Sequence, residues 1–266
     1  MTEVKISCFQ TNSSENPEKN ILLLQRMFEN SRLNSVDLIC LPECVAIFSE
    51  KKKKINHYLN EWNEKFLELI MKQAKKKSTC ILIGSIPKKK SNGKYLNRSL
   101  LIGKNGKIQS HYDKINLFDV YLSKSEYYLE SKNYDSGKKL NVSKLPWGNL
   151  GMSICYDLRF PSLYKKLAFK GANCFSVPAA FTSTTGKAHW HSLLRARAIE
   201  NGCYVFAPAQ YGIHDNGRET FGHSMIIDPW GKILKEAKNK NSIIIEKINL
   251  DLVDRVREKI PSTTCY

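Results

Sequence analysis

The sequence predicts a layered α/β protein in which parallel and antiparallel strands are mixed. Strand-like apolar runs alternate with helix-like amphipathic segments along most of the 266 residues, which is typical of sheets covered by helices. Two turn motifs, Asn105-Gly106 and the Pro-Trp-Gly run at 229–231, indicate antiparallel hairpins within this alternation. No internal repeat or linker divides the chain, so we predict one domain over residues 1–266.

The first half of the chain begins this alternation. Each predicted strand is a short apolar run, and each predicted helix keeps its apolar side chains three and four residues apart. Asn16 and Pro17 supply the capping residue and the first position expected of a helix. In order, the sequence predicts a strand at Val4–Gln10, a helix from Pro17, a strand at Val36–Leu41, a helix at about residues 55–76, a strand at Cys80–Ile86, a strand at Asn97–Ile102 and its hairpin partner at Lys107–His111.

The second half follows a stretch with no clear period, residues 119–145, which we predict to be loop. Pro161, at the start of a predicted helix, again suits the first helical position. The predicted elements are strands at Leu150–Cys155, Cys174–Pro178, Tyr204–Ala209, His223–Asp228, Ile233–Glu236 and Ser242–Ile248, and helices at Pro161–Lys170, Gly186–Asn201 and Leu250 to about Glu258.

The formal net charge of +17 raises the question of a nucleic-acid partner. The lysines cluster in three runs, Lys51–Lys54, Lys75–Lys77 and Lys88–Lys90, beside polar or helix-end segments. No helix-turn-helix, finger or RNA-binding motif accompanies them. We therefore interpret the runs as solvated faces and expect no nucleic-acid partner, although the charge favours anionic small substrates.

The eight cysteines show no spacing typical of a zinc site, and several lie within strand-like runs. We therefore expect free thiols in a cytoplasmic protein. No apolar run approaches the roughly 20 residues of a membrane span, and the first ten residues lack the pattern of a secretory signal. We interpret His189, His214 and His223 as ordinary polar or loop residues, and we expect no metal, no cofactor and no membrane partner.

Three predicted strands end in residues with complementary chemistry: Glu43, Lys114 and Cys155. A thiolate attacks an acyl carbon, a carboxylate accepts the thiol proton, and an ammonium lowers the thiol pKa. The same ammonium, with the backbone N–H of Tyr156, would hold the oxyanion. From the residues alone the alternatives stay open: Glu43 as a helix cap, Lys114 as a surface charge and Cys155 as a packing residue.

Three motifs carry a resemblance to a known family: LPE at 41–43, YDKINLFD at 112–119 and GMSICYDLRFP at 151–161. Together they resemble the nitrilase superfamily of carbon–nitrogen hydrolases, over nearly the whole chain. The resemblance implies that Glu43, Lys114 and Cys155 are catalytic, and that Glu130, in LES at 129–131, holds Lys114. It also implies a four-layer αββα sandwich, a homodimer packed through outer helices, and amide hydrolysis through a thioester intermediate.

Two further segments, FTSTTGKAHW at 181–190 and LLRARAIENGCYV at 193–205, resemble the deaminated glutathione amidase branch of that superfamily. The implied reaction releases α-ketoglutarate and cysteinylglycine from glutathione that has lost its amino group. The alternatives are an ω-amidase acting on α-ketoglutaramate and an N-carbamoyl amide hydrolase. A binding or scaffold protein without catalysis is the alternative from another class.

A cationic pocket suits a substrate that bears a carboxylate, and arginine binds both carboxylate oxygens best. Arg159, Lys187 and Arg218 are the candidates for this contact, although Arg159 could equally pair with Asp157. The predicted substrate-binding residues are Tyr156, Arg159, Asn116, Phe181 and Thr182. Three positions depart from the branch pattern, none of them catalytic: Asn116 replaces a histidine, and Ser162 and His191 each replace a glutamate.

Overall fold

Two β-sheets packed face to face form the centre of the structure, a computed structural model that describes residues 3–124 and 126–262. In chain order the strands are β1 (Glu3–Thr11), β2 (Leu38–Cys40), β3 (Cys80–Lys89), β4 (Tyr95–Ile102), β5 (Ile108–Asp113), β6 (Asp119–Tyr121), β7 (Tyr127–Leu129), β8 (Val142–Leu145), β9 (Gly148–Met152), β10 (Cys174–Ser176), β11 (Tyr204–Ala207), β12 (Ala209–Ile213), β13 (Glu219–Phe221), β14 (Met225–Ile227), β15 (Ile233–Glu236) and β16 (Ser242–Asn249). The α-helices are α1 (Pro17–Phe28), α2 (Lys52–His57), α3 (Asn63–Lys77), α4 (Pro161–Phe169), α5 (Ser183–Asn201) and α6 (Asp251–Lys259).

Both sheets have parallel centres and antiparallel edges. The first has the order β13-β12-β1-β2-β3-β4-β5, with β16 pairing with β1, and the second has the order β15-β14-β11-β10-β9-β8. Strands β6 and β7 form a separate two-stranded ribbon. The hairpins β4–β5 and β14–β15 are antiparallel, as the two turn motifs predicted.

Side chains of the first sheet alternate between two cores. Ile6, Cys8 and Cys40 belong to the core shared with the second sheet and with α4 and α5, whereas Phe9 and Ile39 belong to the core beneath α1 and α3. Each fully buried aliphatic side chain contributes roughly 1.5–3 kcal/mol to stability. The result is the four-layer αββα sandwich that the resemblance implied.

The structure differs from the sequence prediction where strands are short or change sheet. Residues 119–145 contain β6, β7 and β8, each of only three or four residues, which is too short to show a period. The strand predicted at Tyr204–Ala209 divides at Pro208, because β11 lies in the second sheet and β12 in the first. The short strand β13, which pairs with β12, was not predicted.

The lysine runs contact acidic side chains and a helix end. Lys54 bonds Glu15, Lys90 bonds Asp135, and Lys75–Lys77 occupy the last turn of α3, where positive charge complements the helix dipole. Within residues 3–124 and 126–262, no helix is long and apolar enough to cross a bilayer. The seven cysteines in this part of the chain are free thiols, and Cys265 lies outside it.

Candidate active site

The ends of β2, β5, β7 and β9 open into one cavity of about 850 Å³. Glu43, Lys114, Glu130 and Cys155 all line this cavity, although they come from distant parts of the chain. Its remaining lining residues are Cys44, Phe48, Ser49, Glu50, Lys52, Asn97, Phe118, Tyr127, Tyr128, Leu129, Lys132, Asn133, Tyr134, Ala180, Asn216 and Arg218.

Glu43 follows β2 on a turn that β3 approaches closely. A side chain at Gly84 would lie 2.1 Å from the carbonyl oxygen of Leu41, so this position of β3 requires glycine. Next to Gly84, the hydroxyl of Ser85 accepts a hydrogen bond of 3.0 Å from the backbone N–H of Cys44. These contacts hold the turn that presents the Glu43 carboxylate to the cavity.

Lys114 lies between two carboxylates. Its Nζ donates to Glu43 Oε1 and to Glu130 Oε2, each at 2.9 Å, and only 2% of its side chain is exposed. Asn97 on β4 donates from Nδ2 to Oε1 of the same two glutamates, at 2.9 and 3.0 Å. The backbone N–H of Ala180 completes the shell of Glu43 at 2.8 Å.

These contacts set the charge of each group. Burial alone would raise the pKa of Glu43, but the positive charge of Lys114 and its hydrogen bond lower that pKa below its usual value. Burial would lower the pKa of Lys114, yet the charges of Glu130 and Glu43 raise it well above its usual value. At neutral pH the site therefore holds an ionised carboxylate and an ammonium side by side.

Cys155 lies on a strained turn rather than in a strand. Strand β9 ends at Met152, and Cys155 begins a 3₁₀ helix, Cys155–Arg159, with a φ of +46°. This left-handed conformation costs a non-glycine residue on the order of 1–3 kcal/mol. The backbone N–H of Cys155 donates to Pro178 O at 2.9 Å, which holds the turn between the two neighbouring strand ends.

The Cys155 thiol and the Glu43 carboxylate line the same cavity, close enough for the carboxylate to act on the pKa of the thiol. Burial and then the negative charge of Glu43 raise the pKa of this thiol well above its usual value, and Lys114 only partly offsets them. The sequence had indicated a thiol whose pKa the lysine lowers. The structure instead indicates a neutral thiol in the same cavity as its base.

Asp157 fixes the loop after the cysteine. It is fully buried and accepts hydrogen bonds from Tyr112 Oη at 2.7 Å, from the Ile154 N–H at 3.0 Å and from both nitrogens of Asn116 at 2.8–2.9 Å. Burial raises the pKa of Asp157. These hydrogen bonds satisfy the Asp157 carboxylate. Arg159 contacts His189 instead, at 3.3 Å, and Asn116 holds the loop through Asp157.

The five residues predicted to bind substrate contact neighbouring side chains and do not line the cavity. Tyr156 packs edge-on against Phe118 at 5.2 Å, and Arg159 lies over the Phe181 ring at 5.1 Å. Thr182 bonds a neighbouring threonine hydroxyl at the start of α5. Within the described residues, none of Tyr156, Arg159, Asn116, Phe181 and Thr182 is among the side chains that line the cavity.

Of the three cations considered for a substrate carboxylate, Arg218 alone lines the cavity. Its Nη2 donates to Ala180 O at 2.7 Å, and its guanidinium lies 4.7 Å from the Tyr128 ring and 5.6 Å from those of Phe48 and Phe118. Among the described polar atoms, its Nε is buried without a hydrogen-bond partner. Such an atom is costly unless a ligand satisfies it.

The sequence analysis missed Asn97 and the aromatic wall of Phe48 and Tyr128. Asn97 lies in a strand whose pattern, YLNRSLLI, does not separate it from a solvent-facing residue. Phe48 stacks on His214 at 3.7 Å, and burial lowers the pKa of that histidine to about 4. His214 bonds Ser13 O and the Thr220 hydroxyl, so it supports the wall as a neutral ring.

Comparison with known proteins points to a single family. The family model described as carbon-nitrogen hydrolase matches residues 5–258. A Synechocystis protein named deaminated glutathione amidase is 40% identical over 262 residues, 96% of this chain and 95% of the relative. A Dictyostelium discoideum protein of the same name is 41% identical over 266 residues, 97% of this chain and 91% of the relative.

Solved structures agree in fold. The Caenorhabditis elegans NitFhit protein matches with a TM-score of 0.90 and 34% identity, covering 99% of this chain and 65% of NitFhit. Saccharomyces cerevisiae Nit3, described as a member of branch 10 of the nitrilase superfamily, matches with a TM-score of 0.83 and 26% identity, covering 97% of this chain and 94% of Nit3.

Proposed function

We propose that this chain, which belongs to the carbon–nitrogen hydrolase family, hydrolyses the amide bond of deaminated glutathione through a thioester on Cys155. As a member of that family it is a hydrolase of carbon–nitrogen bonds other than peptide bonds. The single observation that carries the mechanism is that Cys155, Glu43 and Lys114 line one cavity, in which Lys114 bonds Glu43 at 2.9 Å. The names of its similar relatives support the substrate.

In the first half-reaction, Glu43 takes the thiol proton of Cys155 as the sulfur adds to the amide carbon. The carbonyl electron pair moves to oxygen, where the Lys114 ammonium and the Tyr156 N–H stabilise the negative charge. When the carbonyl re-forms, the carbon–nitrogen bond breaks. The departing nitrogen takes the proton from Glu43, cysteinylglycine leaves, and an α-ketoglutaryl thioester remains on the sulfur.

In the second half-reaction a water molecule attacks the thioester carbon while Glu43 removes one of its protons. The carbon–sulfur bond then breaks, the proton returns to the sulfur of Cys155, and α-ketoglutarate leaves. Glu43 thus acts as base and then acid in each half-reaction. Its lowered pKa keeps it ionised before each proton transfer, while Glu130 and Asn97 hold Lys114 and Glu43 in position.

Arg218 is the residue proposed to bind the carboxylate of the acyl half. Within the described residues its Nε has no hydrogen-bond partner, its Nη2 bonds Ala180 O, and three aromatic rings surround its guanidinium. A substrate carboxylate would satisfy the buried Nε and gain a charge-assisted hydrogen bond. The cavity of about 850 Å³ is within the range that holds a ligand larger than a single keto acid, which favours deaminated glutathione over α-ketoglutaramate.

The substrate is tested by measuring kcat/KM side by side for deaminated glutathione, α-ketoglutaramate and an N-carbamoyl amino acid. We expect deaminated glutathione to have the highest value. Equal or faster turnover of α-ketoglutaramate would assign the chain to the ω-amidases, and turnover of the carbamoyl compound alone would assign it to the carbamoyl hydrolases. Hydrolysis of none of the three would contradict the proposed substrate and leave the scaffold alternative.

Arg218→Lys tests the carboxylate contact, with Arg159→Lys as the matched control outside the cavity. We expect the Arg218 variant to lose roughly 10–100-fold in kcat/KM, mostly through KM, because lysine cannot replace the planar fork. The control should stay within about threefold. A substrate whose acyl-half carboxylate is a methyl ester should react equally with wild type and Arg218→Lys; an unchanged difference between them would remove this role.

The proposed cellular state is a cytoplasmic homodimer. The seven free thiols support a reducing compartment. Ile199 on α5 and Trp230 in the turn between β14 and β15 are 48% and 57% exposed, which supports a partner on this face. Light scattering of the wild type and of Ile199→Glu tests this: a dimer that becomes monomeric is expected, and a monomeric wild type contradicts the proposal.

A further inference from the structure

A second cluster of metal-binding side chains lies outside the cavity. His191 on α5, His223 in the loop before β14 and Glu236 at the end of β15 bring one ligand atom each within 4.8 Å of the others. His191 Nε2 is 2.9 Å and His223 Nδ1 is 2.6 Å from the same oxygen, Glu236 Oε1. We propose that these three residues form a binding site for a divalent transition-metal ion, Zn²⁺ in the first instance.

The donor set has the chemistry that zinc selects. Two imidazoles and one carboxylate are a common ligand set for Zn²⁺, with metal–nitrogen and metal–oxygen distances of about 2.0–2.2 Å. In a tetrahedral site such ligands are about 3.3 Å apart, so His191 and His223 need move only slightly from Glu236 Oε1 to admit the ion. About a third of each side chain is exposed, which leaves room for a water molecule as the fourth ligand.

The surroundings fix both imidazole rings. The Phe221 ring stacks on His223 with centroids 4.3 Å apart and meets His191 edge-on at 5.9 Å. Trp190 Nε1 donates to the carbonyl oxygen of His223 at 2.9 Å, and His223 holds a left-handed φ of +55°. Rings held in this way lose little entropy when they bind a metal, which strengthens binding.

The three ligands belong to three separate elements. The β14–β15 register places Glu236 opposite Met225, two residues after His223, whereas His191 approaches from the helical layer. A bound ion would join α5 to the second sheet and stabilise the folded chain against unfolding.

This site could not be predicted from the sequence pattern. Of His189, His214 and His223, which the pattern leaves as ordinary polar residues, the cluster contains His223, and its partner His191 is one of the positions that depart from the branch pattern. In the branch pattern that the sequence resembles, this position is a glutamate, so the second imidazole departs from that pattern. The site is independent of the amidase mechanism, so the two proposals can fail separately.

The test is titration calorimetry of the untagged, chelator-treated full chain with Zn²⁺ alone. It is done in the Cys155→Ala background, because the active-site thiol and Glu43 would themselves attract zinc. We expect one ion per chain, and a rise in the unfolding temperature that grows with zinc concentration. Co²⁺ in place of zinc should give the visible absorption of a bound ion with nitrogen and oxygen ligands.

Three single variants identify the ligands: His191→Asn, His223→Asn and Glu236→Gln. Each should weaken zinc binding by at least about tenfold, since losing a ligand costs no less than losing a supporting contact. His189→Asn, on the same helix but outside the cluster, should bind as the parent does. If His223→Asn fails to fold on its strained backbone, His191→Asn gives the answer. No measurable zinc binding by the parent, or equal binding after His191→Asn, would overturn the proposal.

Discussion

Two cysteines line the same cavity, and they differ in how they are placed relative to the base Glu43. Cys44 and Cys155 both follow a buried strand, and both have a left-handed φ, +55° and +46°. Burial and the charge of Glu43 raise the pKa of both thiols. The difference is one of position. Cys44 is the residue next to Glu43 in the chain, whereas Cys155 comes from a separate element, where its N–H bonds Pro178 O and the nearby Ala180 N–H bonds the Glu43 carboxylate.

This comparison shows what makes one thiol a nucleophile here. A low thiol pKa does not distinguish Cys155, because both thiols are neutral at rest. We attribute the difference to a base that the fold positions to remove the Cys155 proton as the sulfur attacks. The residues around Cys44 support the site instead. Gln210 Nε2 bonds the carbonyl oxygen of Glu43 at 2.9 Å, and Phe48 packs on His214.

The largest expected effect comes from replacing each of the two cysteines with alanine in turn. Cys155→Ala should lower kcat by at least about 10⁴-fold, because no other side chain forms the thioester. Cys44→Ala should retain kcat within about threefold. Steady-state amidase assays on both variants, with circular dichroism to verify folding, provide the measurement. A Cys44 variant as inactive as the Cys155 variant would remove the distinction.

The next effect tests the base. Glu43→Gln keeps the shape of the side chain but cannot accept a proton, so kcat should fall roughly 10²–10⁴-fold. The matched control is Glu50→Gln, another glutamate that lines the cavity and pairs only loosely with Arg218, at 4.0 Å. Its kcat should be nearly unchanged. Wild-type kcat in the Glu43 variant would show that another group deprotonates Cys155.

A pH effect on stability tests the supporting wall. The folded-state pKa of His214 is about 4, below the usual value of about 6.5, so the unfolded chain binds more protons between these values. Stability is therefore lost as pH falls from about 6.5 towards 4. Between pH 7 and pH 5 the free energy of unfolding of the wild type should fall by about 2 kcal/mol more than that of His214→Gln. Urea unfolding at both pH values measures this, and parallel losses would contradict it.

The smallest effect concerns Asn97, which bonds both glutamates of the site. Asn97→Ala leaves Glu43 and Glu130 each short of one hydrogen bond, so kcat should fall about tenfold. Ser99→Ala, two residues along the same strand, removes a hydroxyl that bonds Ile83 O away from the cavity and serves as the control. A drop in kcat equal in both variants would mean that Asn97 contributes only to folding.

The sequence predicted those features that depend on local pattern. The strands and helices with clear periods, from β1 to α6, lie close to their predicted positions, and the hairpin at Asn105-Gly106 follows from its turn residues alone. The three-residue strands could not be predicted, since their pairing comes from partners far along the chain. Pro208 ends one strand and sends the chain to the other sheet, which no local pattern indicates.

The candidate active site likewise has residues that the sequence predicts and contacts that it does not. Glu43, Lys114 and Cys155 could be named from strand ends and from the resemblance. The contacts that complete the site, Asn97 with both glutamates and Tyr112 with Asp157, join residues from different elements. Buried polar residues in a strand look like solvent-facing ones in sequence, so only the folded structure identifies them.

The most direct measurement is intact and peptide mass spectrometry of enzyme quenched with acid during turnover. Deaminated glutathione and α-ketoglutaramate both deliver an α-ketoglutaryl group, so the result does not depend on which substrate is preferred. We predict that this mass appears on the peptide containing Cys155, and that it is absent from the Cys155→Ala variant. The same mass on Cys44, or full turnover with no acyl group on Cys155, would contradict the account.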